Sequence, residues 1–162
     1  MNKKLKCYFA HPYETRFTPE EKEIIEEIKS RRLELIEPFA EEDNLLKKYG
    51  VKEYYSRPYY ELGREMWTKD LGKVRSSDIL IAYMPEGVHA KGTMAEVVTA
   101  YEWNQFKIWM GKQGIPYKDS LIFIQIISPM KHPSFTVYPD QLFETIGDWK
   151  NHRQFRWLNY RK

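Results

Sequence analysis

The sequence predicts an α/β fold, a three-layer doubly wound sandwich whose central parallel sheet has about five strands. Short apolar runs of strand length alternate with helical patterns along the chain, which is typical of βαβ units. Residues 121–127 (LIFIQII) form a continuous apolar run, which indicates a strand buried on both faces. Residues 79–84 form a second such run, and Pro85 and Gly87 end it.

The first part of the chain predicts two strands around one helix. Residues 5–10 form the first strand, which His11 and Pro12 end. Thr18, Pro19 and the acidic residues after them favour a helix start, and that helix runs to about residue 32. Residues 33–36 form a second strand. Residues 39–57 predict an irregular lid or active-site loop, with a short helix at 44–49.

The rest of the chain continues the alternation. We expect a helix over residues 58–75, a strand over 79–84 and a helix over 93–110. A strand over 121–127, a shorter strand over 135–138 and a helix over 140–155 follow. Strands that alternate with helices imply a parallel sheet with right-handed crossovers, as in Rossmann-like and flavodoxin-like folds. A chain of 162 residues is expected to form a single domain.

The composition narrows the function classes. The net charge of +3 is small and the charges are interspersed, so we expect no nucleic-acid partner. Cys7 is the only cysteine, which excludes a disulfide framework. No apolar stretch approaches the roughly 20 residues of a membrane span, and we expect a cytoplasmic protein with no membrane partner. Aromatic residues make up 15% of the chain, which suits either core and interface packing or a pocket for a flat ligand.

Glu96 is the residue on which the functional prediction centres. It lies where the third strand leads into a helix, and open α/β sheets bind their ligands at that edge. The segment TMAE at residues 93–96 also fits a capping box, in which Glu96 would only bond the helix start. The residues alone leave both interpretations open.

Asp70 is the second carboxylate of interest, on the helix before the third strand. Gly72 follows it, and glycine inside a helix costs about 1 kcal/mol relative to alanine, which suggests a close approach of backbone or ligand. The alternative is a solvated carboxylate paired with Lys69 or Lys73. Asp78 is expected only to turn the chain into the third strand.

Three residues near the end of the first strand would face the same crevice as Glu96. Tyr8 is either a core residue whose hydroxyl needs a partner or a part of the site. His11 either ends the strand or contacts a ligand. Arg16 either holds an anion or forms a surface salt bridge.

Three segments occur in a characteristic order: CYFAHPYETR from Cys7, DLGKVRSSDILIAYMP from Asp70 and GTMAEVVTAY from Gly92. This ordered set resembles the nucleoside 2-deoxyribosyltransferases and their nucleotide N-glycosidase relatives. The resemblance covers roughly residues 7–103, and the AHP-x-x-x-R form is most similar to archaeal or phage-type members.

The resemblance implies a double displacement at the anomeric carbon of a 2-deoxyribonucleoside, with a free nucleobase as the second partner. Glu96 matches the nucleophile, Asp70 the acid that protonates the leaving base, and Tyr8 the tyrosine that orients the nucleophile. Such chemistry needs a carboxylate to trap a cationic sugar and an acid to assist the leaving base. We expect Glu96 ionised and Asp70 protonated, about 5–5.5 Å apart. No metal or cofactor is required.

The loop before Glu96 departs from the family pattern. Transferases of the family often carry an acidic residue two positions before the motif glycine, and the nucleotide glycosidases tend to carry a serine there. This chain has Ala90, followed by Lys91, which either suits a phosphate beside the helix start or is a solvated loop residue. The candidate substrate-binding residues are His11, Pro12, Arg16, Ala90, Lys91, Gly92 and Thr93.

The C-terminal run KNHRQFRWLNYRK is basic and aromatic. A basic final helical turn explains it better than nucleic-acid contact. The resemblance implies a homo-oligomer, a dimer or larger, in which Trp157 and Tyr160 are candidates to complete a neighbour's pocket.

Three functions therefore stand as hypotheses. The first is a nucleoside 2-deoxyribosyltransferase. The second is a nucleoside 5′-monophosphate N-glycosidase, which would hydrolyse the nucleotide. The third is a nucleotide-sensing domain without activity, because a fold does not determine a function. If Glu96 only closed a capping box, neither enzymatic hypothesis would hold.

Overall fold

The structure, a computed structural model, describes residues 4–52, 57–117, 120–130 and 133–152. Its centre is a sheet of five parallel strands in the order β2-β1-β3-β4-β5. This order is that of flavodoxin-like folds, and it confirms the predicted doubly wound α/β class. The strands are β1 (Lys6–Ala10), β2 (Glu34–Ile36), β3 (Ile79–Tyr83), β4 (Phe123–Ile127) and β5 (Gln141–Phe143).

Helices connect the strands and cover both faces of the sheet. They are α1 (Pro19–Ser30), α2 (Phe39–Lys48), α3 (Arg57–Arg75), α4 (Lys91–Lys112) and α5 (Ile146–Asn151), with short 3₁₀ turns at Tyr13–Thr15 and Pro133–Thr136. The Thr18 hydroxyl caps α1 by accepting from the Glu21 N–H, as the sequence predicts. Within the described ranges, no helix has the length and apolar character needed to cross a membrane.

Alternation along the strands divides the core into two layers. Cys7 and Phe9 of β1 pack on the side of α1 and α5, against Ile24, Ile28 and Trp149. Neighbouring residues on the same strand point the other way, because successive strand side chains alternate between faces. Tyr8 and Ala10 thus pack with residues of β3, β4 and α4. Tyr8 thereby directs its ring toward α4, the helix that carries Glu96.

Two predicted elements were misplaced. The fifth strand is Gln141–Phe143, whereas the predicted 135–138 segment begins within a 3₁₀ turn. The strand lies within the predicted final helix, and the observed helix is limited to Ile146–Asn151. The short extent of β5 explains the error, because three residues carry no clear period of two. Trp157 and Tyr160 lie outside the described residues.

The segment expected to be an irregular loop is partly helical. Residues Phe39–Lys48 form α2, which starts earlier than the short helix predicted at 44–49. Acidic residues in its first turn and lysines in its last turn complement the helix dipole. The helix packs on α3 through Leu45, Leu46 and residues of α3, which closes one side of the crevice at the sheet edge.

Candidate active site

A cleft of about 160 Å³ lies where β1 and β3 are neighbours and the strand order reverses. Ligands of doubly wound folds bind at this position. The cleft is walled by the turn after β1, by α2 and α3, and by the start of α4. Its lining comprises His11, Pro12, Tyr13, Glu14, Pro38, Phe39, Glu42, Trp67, Asp70, His89, Gly92, Thr93 and Glu96.

Glu96 is directed to the cleft by β1 rather than by the helix start. The Tyr8 hydroxyl donates a hydrogen bond of 2.6 Å to Glu96 Oε1, and both side chains are buried. Helix α4 begins at Lys91 with Ala90 as its N-cap, so Thr93 lies inside the first turn. The capping-box interpretation is therefore wrong, because Thr93 is not a cap and Glu96 is bonded elsewhere.

Burial dominates the electrostatics of Glu96. Desolvation raises the pKa of its carboxyl group to about 8. The hydrogen bond from Tyr8 acts in the opposite direction, because a donor stabilises the charged carboxylate. The charges of Asp70 and Glu42 raise the pKa further, and Lys73 lowers it.

Asp70 lies in the same cleft and is only 4% exposed, so it is not a solvated helical carboxylate. Its partners are Lys73, whose Nζ is 3.5 Å from Oδ1, and the side chain of Glu42. Desolvation raises the pKa of Asp70 to about 6, while Lys73 and the Glu42 hydrogen bond lower it. Lys69, the other proposed partner, pairs with Glu65 at 3.0 Å.

The start of α4 presents unused hydrogen-bonding capacity to the cleft. No side chain caps the helix at Ala90. Thr93 is 3% exposed, and its buried hydroxyl oxygen has no hydrogen-bond partner. Gly92 also lines the cleft, and a Cβ there would meet nothing within 4 Å. An uncapped helix N-terminus with an unpartnered hydroxyl suits an anionic or oxygen-rich ligand group.

His11 lies on the wall of the cleft in a fixed orientation. The Thr15 hydroxyl donates to the Pro12 carbonyl at 2.7 Å, so it accepts from His11 Nδ1 at 2.9 Å. The proton of the neutral ring is thus on Nδ1, and Nε2 is 3.5 Å from Glu21. Burial lowers the pKa of His11 to about 4, which keeps the imidazole neutral at physiological pH.

Three predicted substrate-binding residues do not line the cleft: Arg16, Ala90 and Lys91. Arg16 donates to both carboxylate oxygens of Asp43, at 2.6 and 3.1 Å. Its guanidinium carbon also lies 5.0 Å from the ring centroid of Phe39. Arg16 therefore ties the turn after β1 to α2. Pro12, Gly92 and Thr93 join His11 in the cleft as the sequence predicts.

The structure adds residues that the sequence did not single out. Glu42 and Phe39 reach the cleft from α2, and Trp67 reaches it from α3. Their signal was hidden because residues 39–57 showed no clear helical period. The acid-rich first turn of α2 was the available indication that this segment is a helix.

A second, larger groove of about 550 Å³ lies between α2 and α3 and is lined mainly by exposed residues. It contains no buried carboxylate pair, so the smaller cleft is the better candidate for chemistry. Gly72 lines this groove, and a Cβ there would meet nothing within 4 Å. The expected close approach at Gly72 is therefore absent.

No group of three or more His, Cys, Asp or Glu side chains in the described part of the chain is arranged to hold a metal ion. The cleft instead combines two buried carboxyl groups with a tyrosine hydroxyl and an uncapped helix start. Two carboxyl groups in one cleft can act as a nucleophile and a general acid.

Comparison with known proteins gives a likeness of fold. A solved structure of a 2-deoxyribosyltransferase from the psychrotolerant bacterium Bacillus psychrosaccharolyticus superposes with a TM-score of 0.58. The match covers 94% of this chain and 95% of that chain at 17% sequence identity. The two chains share a fold. No protein-family model matches the sequence, and no curated protein matches it either.

Proposed function

We propose that this chain is a nucleoside 2-deoxyribosyltransferase, which exchanges the base of a 2-deoxyribonucleoside through a deoxyribosyl ester of Glu96. The observation that carries the proposal is the convergence of Glu96 and Asp70 in one cleft, with the Tyr8 hydroxyl on Glu96. The shared fold with a 2-deoxyribosyltransferase supports it. The order of the three sequence segments supports it independently.

The proposed reaction has two matched halves. In the first, Glu96 Oε2 bonds to C1′ as the C1′–N bond breaks, and the electron pair of that bond stays on the base nitrogen. The base takes a proton from Asp70 and leaves as a neutral molecule. In the second half, an incoming base attacks C1′, returns a proton to Asp70 and releases the Glu96 carboxylate. The Tyr8 hydroxyl holds Oε1 and leaves Oε2 for the attack.

The protonation order of the empty cleft differs from the expected one. The pKa of Glu96 is about 8 and that of Asp70 about 6, so the first proton to bind goes mainly to Glu96. The reactive arrangement places that proton on Asp70 instead. A sugar that develops positive charge beside Glu96 would favour the ionised carboxylate and so drive the exchange.

The size of the cleft suits a sugar better than a whole nucleoside. Its volume of about 160 Å³ is below the roughly 300–1,000 Å³ of typical small-molecule pockets. We infer that the deoxyribose enters beside Glu96 and that the base lies toward the rim. The half-exposed indole of Trp67 is the flat surface available to it there.

A base-exchange assay tests the proposal. A 2-deoxyribonucleoside is incubated with a second free base, and the exchanged nucleoside is measured by chromatography. We expect exchange by the wild type and a loss of at least about 10³-fold in Glu96→Gln, because the nucleophile is removed. Glu102→Gln is the matched control, since Glu102 lies on an exposed part of the same helix. Absence of exchange in the wild type rejects the transferase.

The unpartnered Thr93 hydroxyl favours a second candidate, a nucleoside 5′-monophosphate N-glycosidase. A 5′-phosphate at the uncapped start of α4 would satisfy that hydroxyl. Thr93→Val keeps the shape and removes the oxygen. If the nucleotide is the substrate, the variant raises KM about tenfold for nucleoside 5′-monophosphate. The same KM in Thr93→Val, or unchanged turnover in Lys91→Ala, would count against a phosphate at this position.

A sensor domain without activity is the alternative from another class. It would bind nucleotide in the cleft and leave the N-glycosidic bond intact. Calorimetric binding together with recovery of unchanged ligand in both assays would identify it, and Glu96→Ala would then affect affinity only slightly.

A further inference from the structure

Glu42 is a third carboxylic acid in the cleft, and its neighbours give it a specific role. Its side chain hydrogen-bonds that of Asp70, and both residues line the cleft. Two ionised carboxylates have only acceptor oxygens, so a hydrogen bond between them requires one proton. The Glu42–Asp70 pair therefore holds a proton in the unliganded cleft.

The surroundings indicate which oxygen carries this proton. Asp70 Oδ1 lies 3.5 Å from Lys73 Nζ, and the ammonium group favours the ionised form of Asp70. Lys73 is itself fixed by Glu41 at 3.0 Å. Asp70 thus accepts from two sides, and Glu42 is the donor.

Other titratable groups around the cleft do not offer Asp70 the same partner. Glu96 accepts from Tyr8, on the opposite wall from α2. His11 directs its Nδ1 proton to Thr15 and its Nε2 toward Glu21. Glu42 is thus the acid of α2 that is placed to pass a proton to Asp70.

We propose that Glu42 is a positioning residue that stores the proton for the leaving base and delivers it through Asp70. This inference rests on the proposed function, since it assigns the source of the proton in that reaction. As the C1′–N bond breaks, the base nitrogen takes the proton of Asp70, and the Glu42 proton moves to Asp70. Glu42 becomes a carboxylate, and the incoming base or water returns the proton along the same path.

The experiment compares two leaving groups in Glu42→Gln. Glutamine can still donate an N–H to Asp70, but it cannot release that proton. With 2′-deoxyguanosine, base release is expected to fall about 10²-fold, the low end for a lost general acid. With N7-methyl-2′-deoxyguanosine the rate is expected to stay at the wild-type value, because its cationic base leaves as a neutral molecule without a proton.

Glu41→Gln is the matched control. It removes the same charge from the same turn of α2, but Glu41 lines the neighbouring groove rather than the cleft. Its rates with both nucleosides are expected to stay near wild type, and thermal unfolding checks that both variants are folded. Equal losses with both nucleosides in Glu42→Gln, or no loss with either, would overturn the proposal.

Infrared spectroscopy separates failure of this inference from failure of the proposed function. The wild-type minus Glu42→Gln difference spectrum at pH 7 is expected to show one protonated carboxyl band, which shifts in D₂O. Only ionised carboxylate bands in that difference would overturn the role of Glu42. If the band is present and the wild type cleaves neither nucleoside, the proposed function fails while the shared proton stands.

Discussion

The carboxyl group of Glu96 has two opposing influences on its charge. Burial favours the neutral acid, whereas the short hydrogen bond from Tyr8 favours the carboxylate. A nucleophile in such an environment is poorly solvated and therefore reactive once it is ionised. Asp70 differs from it, because Lys73 lies beside it.

The pH dependence follows from this pair. We expect a bell-shaped profile of kcat/KM with apparent pKa values of about 6 and about 8. Below the lower value both carboxyl groups are protonated, so there is no nucleophile. Above the upper value both are ionised, so there is no acid. Initial rates from pH 4 to 10 measure the profile, and a pH-independent rate across this range would contradict it. The two values belong to the pair rather than to single residues.

Removal of the Tyr8 hydroxyl should shift this balance. Tyr8→Phe keeps the buried ring but leaves Glu96 Oε1 without its donor, so the pKa of Glu96 rises further. We expect the alkaline limb to move to higher pH and the maximum rate to fall about 10- to 100-fold, the loss of one hydrogen bond to a charged group.

Tyr83→Phe is the control, because Tyr83 lies on the neighbouring strand and packs in the opposite layer. It should leave the profile unchanged. An unshifted alkaline limb in Tyr8→Phe would show that the hydroxyl does not set the charge of Glu96.

Several site residues were predictable because they follow strand ends or fall within ordered motifs. Tyr8, His11, Asp70 and Glu96 converge as the parallel-sheet topology requires. Glu42 was not predictable, because its role depends on how α2 packs across the cleft and no local pattern records that packing. For Arg16, the sequence could not show that Asp43 would take its guanidinium.

At the scale of elements, the Arg16–Asp43 contact joins the turn after β1 to α2. The fork of two hydrogen bonds is supported by the rings of Tyr13, Phe17 and Phe39, each 4.8–5.1 Å from the guanidinium carbon. Since α2 carries Phe39 and Glu42 into the cleft, this contact positions one of its walls.

A double-mutant cycle measures this contact. Arg16→Met and Asp43→Asn are each expected to lower the free energy of unfolding, with a coupling of about 1 kcal/mol between them. Lysine at position 16 should not restore the coupling, because it lacks the planar fork. Urea denaturation of the four proteins gives the values, and additive effects would mean that the contact does not hold α2.

The elements best predicted from sequence were those with strong local signals. The apolar runs of β3 and β4 and the Thr18–Pro19 start of α1 were found where expected. Element α2 was largely missed because its aromatic and polar residues obscure a helical period. Short β5 was misplaced because its position depends on pairing with β4, and pairing is a long-range property.

At the scale of the whole molecule, the cleft is expected to reduce stability. The folded state holds a proton on Glu96 that the unfolded chain releases above its ordinary pKa of 4.5. Stability is therefore lost as the pH rises from about 4.5 to about 8. Buried neutral His11 has the opposite sign, and its contribution is lost as the pH falls from 6.5 toward 4.

Glu96→Gln should consequently stabilise the protein while it abolishes turnover. We expect the free energy of unfolding to rise by about 2–4 kcal/mol at pH 8 and to change little at pH 4.5. Urea unfolding at both pH values tests this, with Glu102→Gln as the control that shows no such slope. A gain of equal size at both pH values would show that the buried charge is not its cause.

The assembly of the molecule stays a prediction. The resemblance implies a homo-oligomer, and Phe106 and Trp109 form an exposed aromatic pair on α4, 44% and 53% accessible. Sedimentation is expected to give a mass above the 19.6 kDa of one chain. A mass equal to one chain at micromolar concentration would contradict it.

The nucleophilic role of Glu96 is tested most directly by trapping the covalent intermediate. Wild-type protein is mixed with a 2-deoxyribonucleoside, quenched in acid within one turnover and measured by intact mass and peptide mapping. The predicted result is one deoxyribosyl adduct on the peptide that contains Glu96, absent from Glu96→Gln. Turnover by the wild type with no adduct, or an adduct on another residue, would contradict the assignment of Glu96 as the nucleophile.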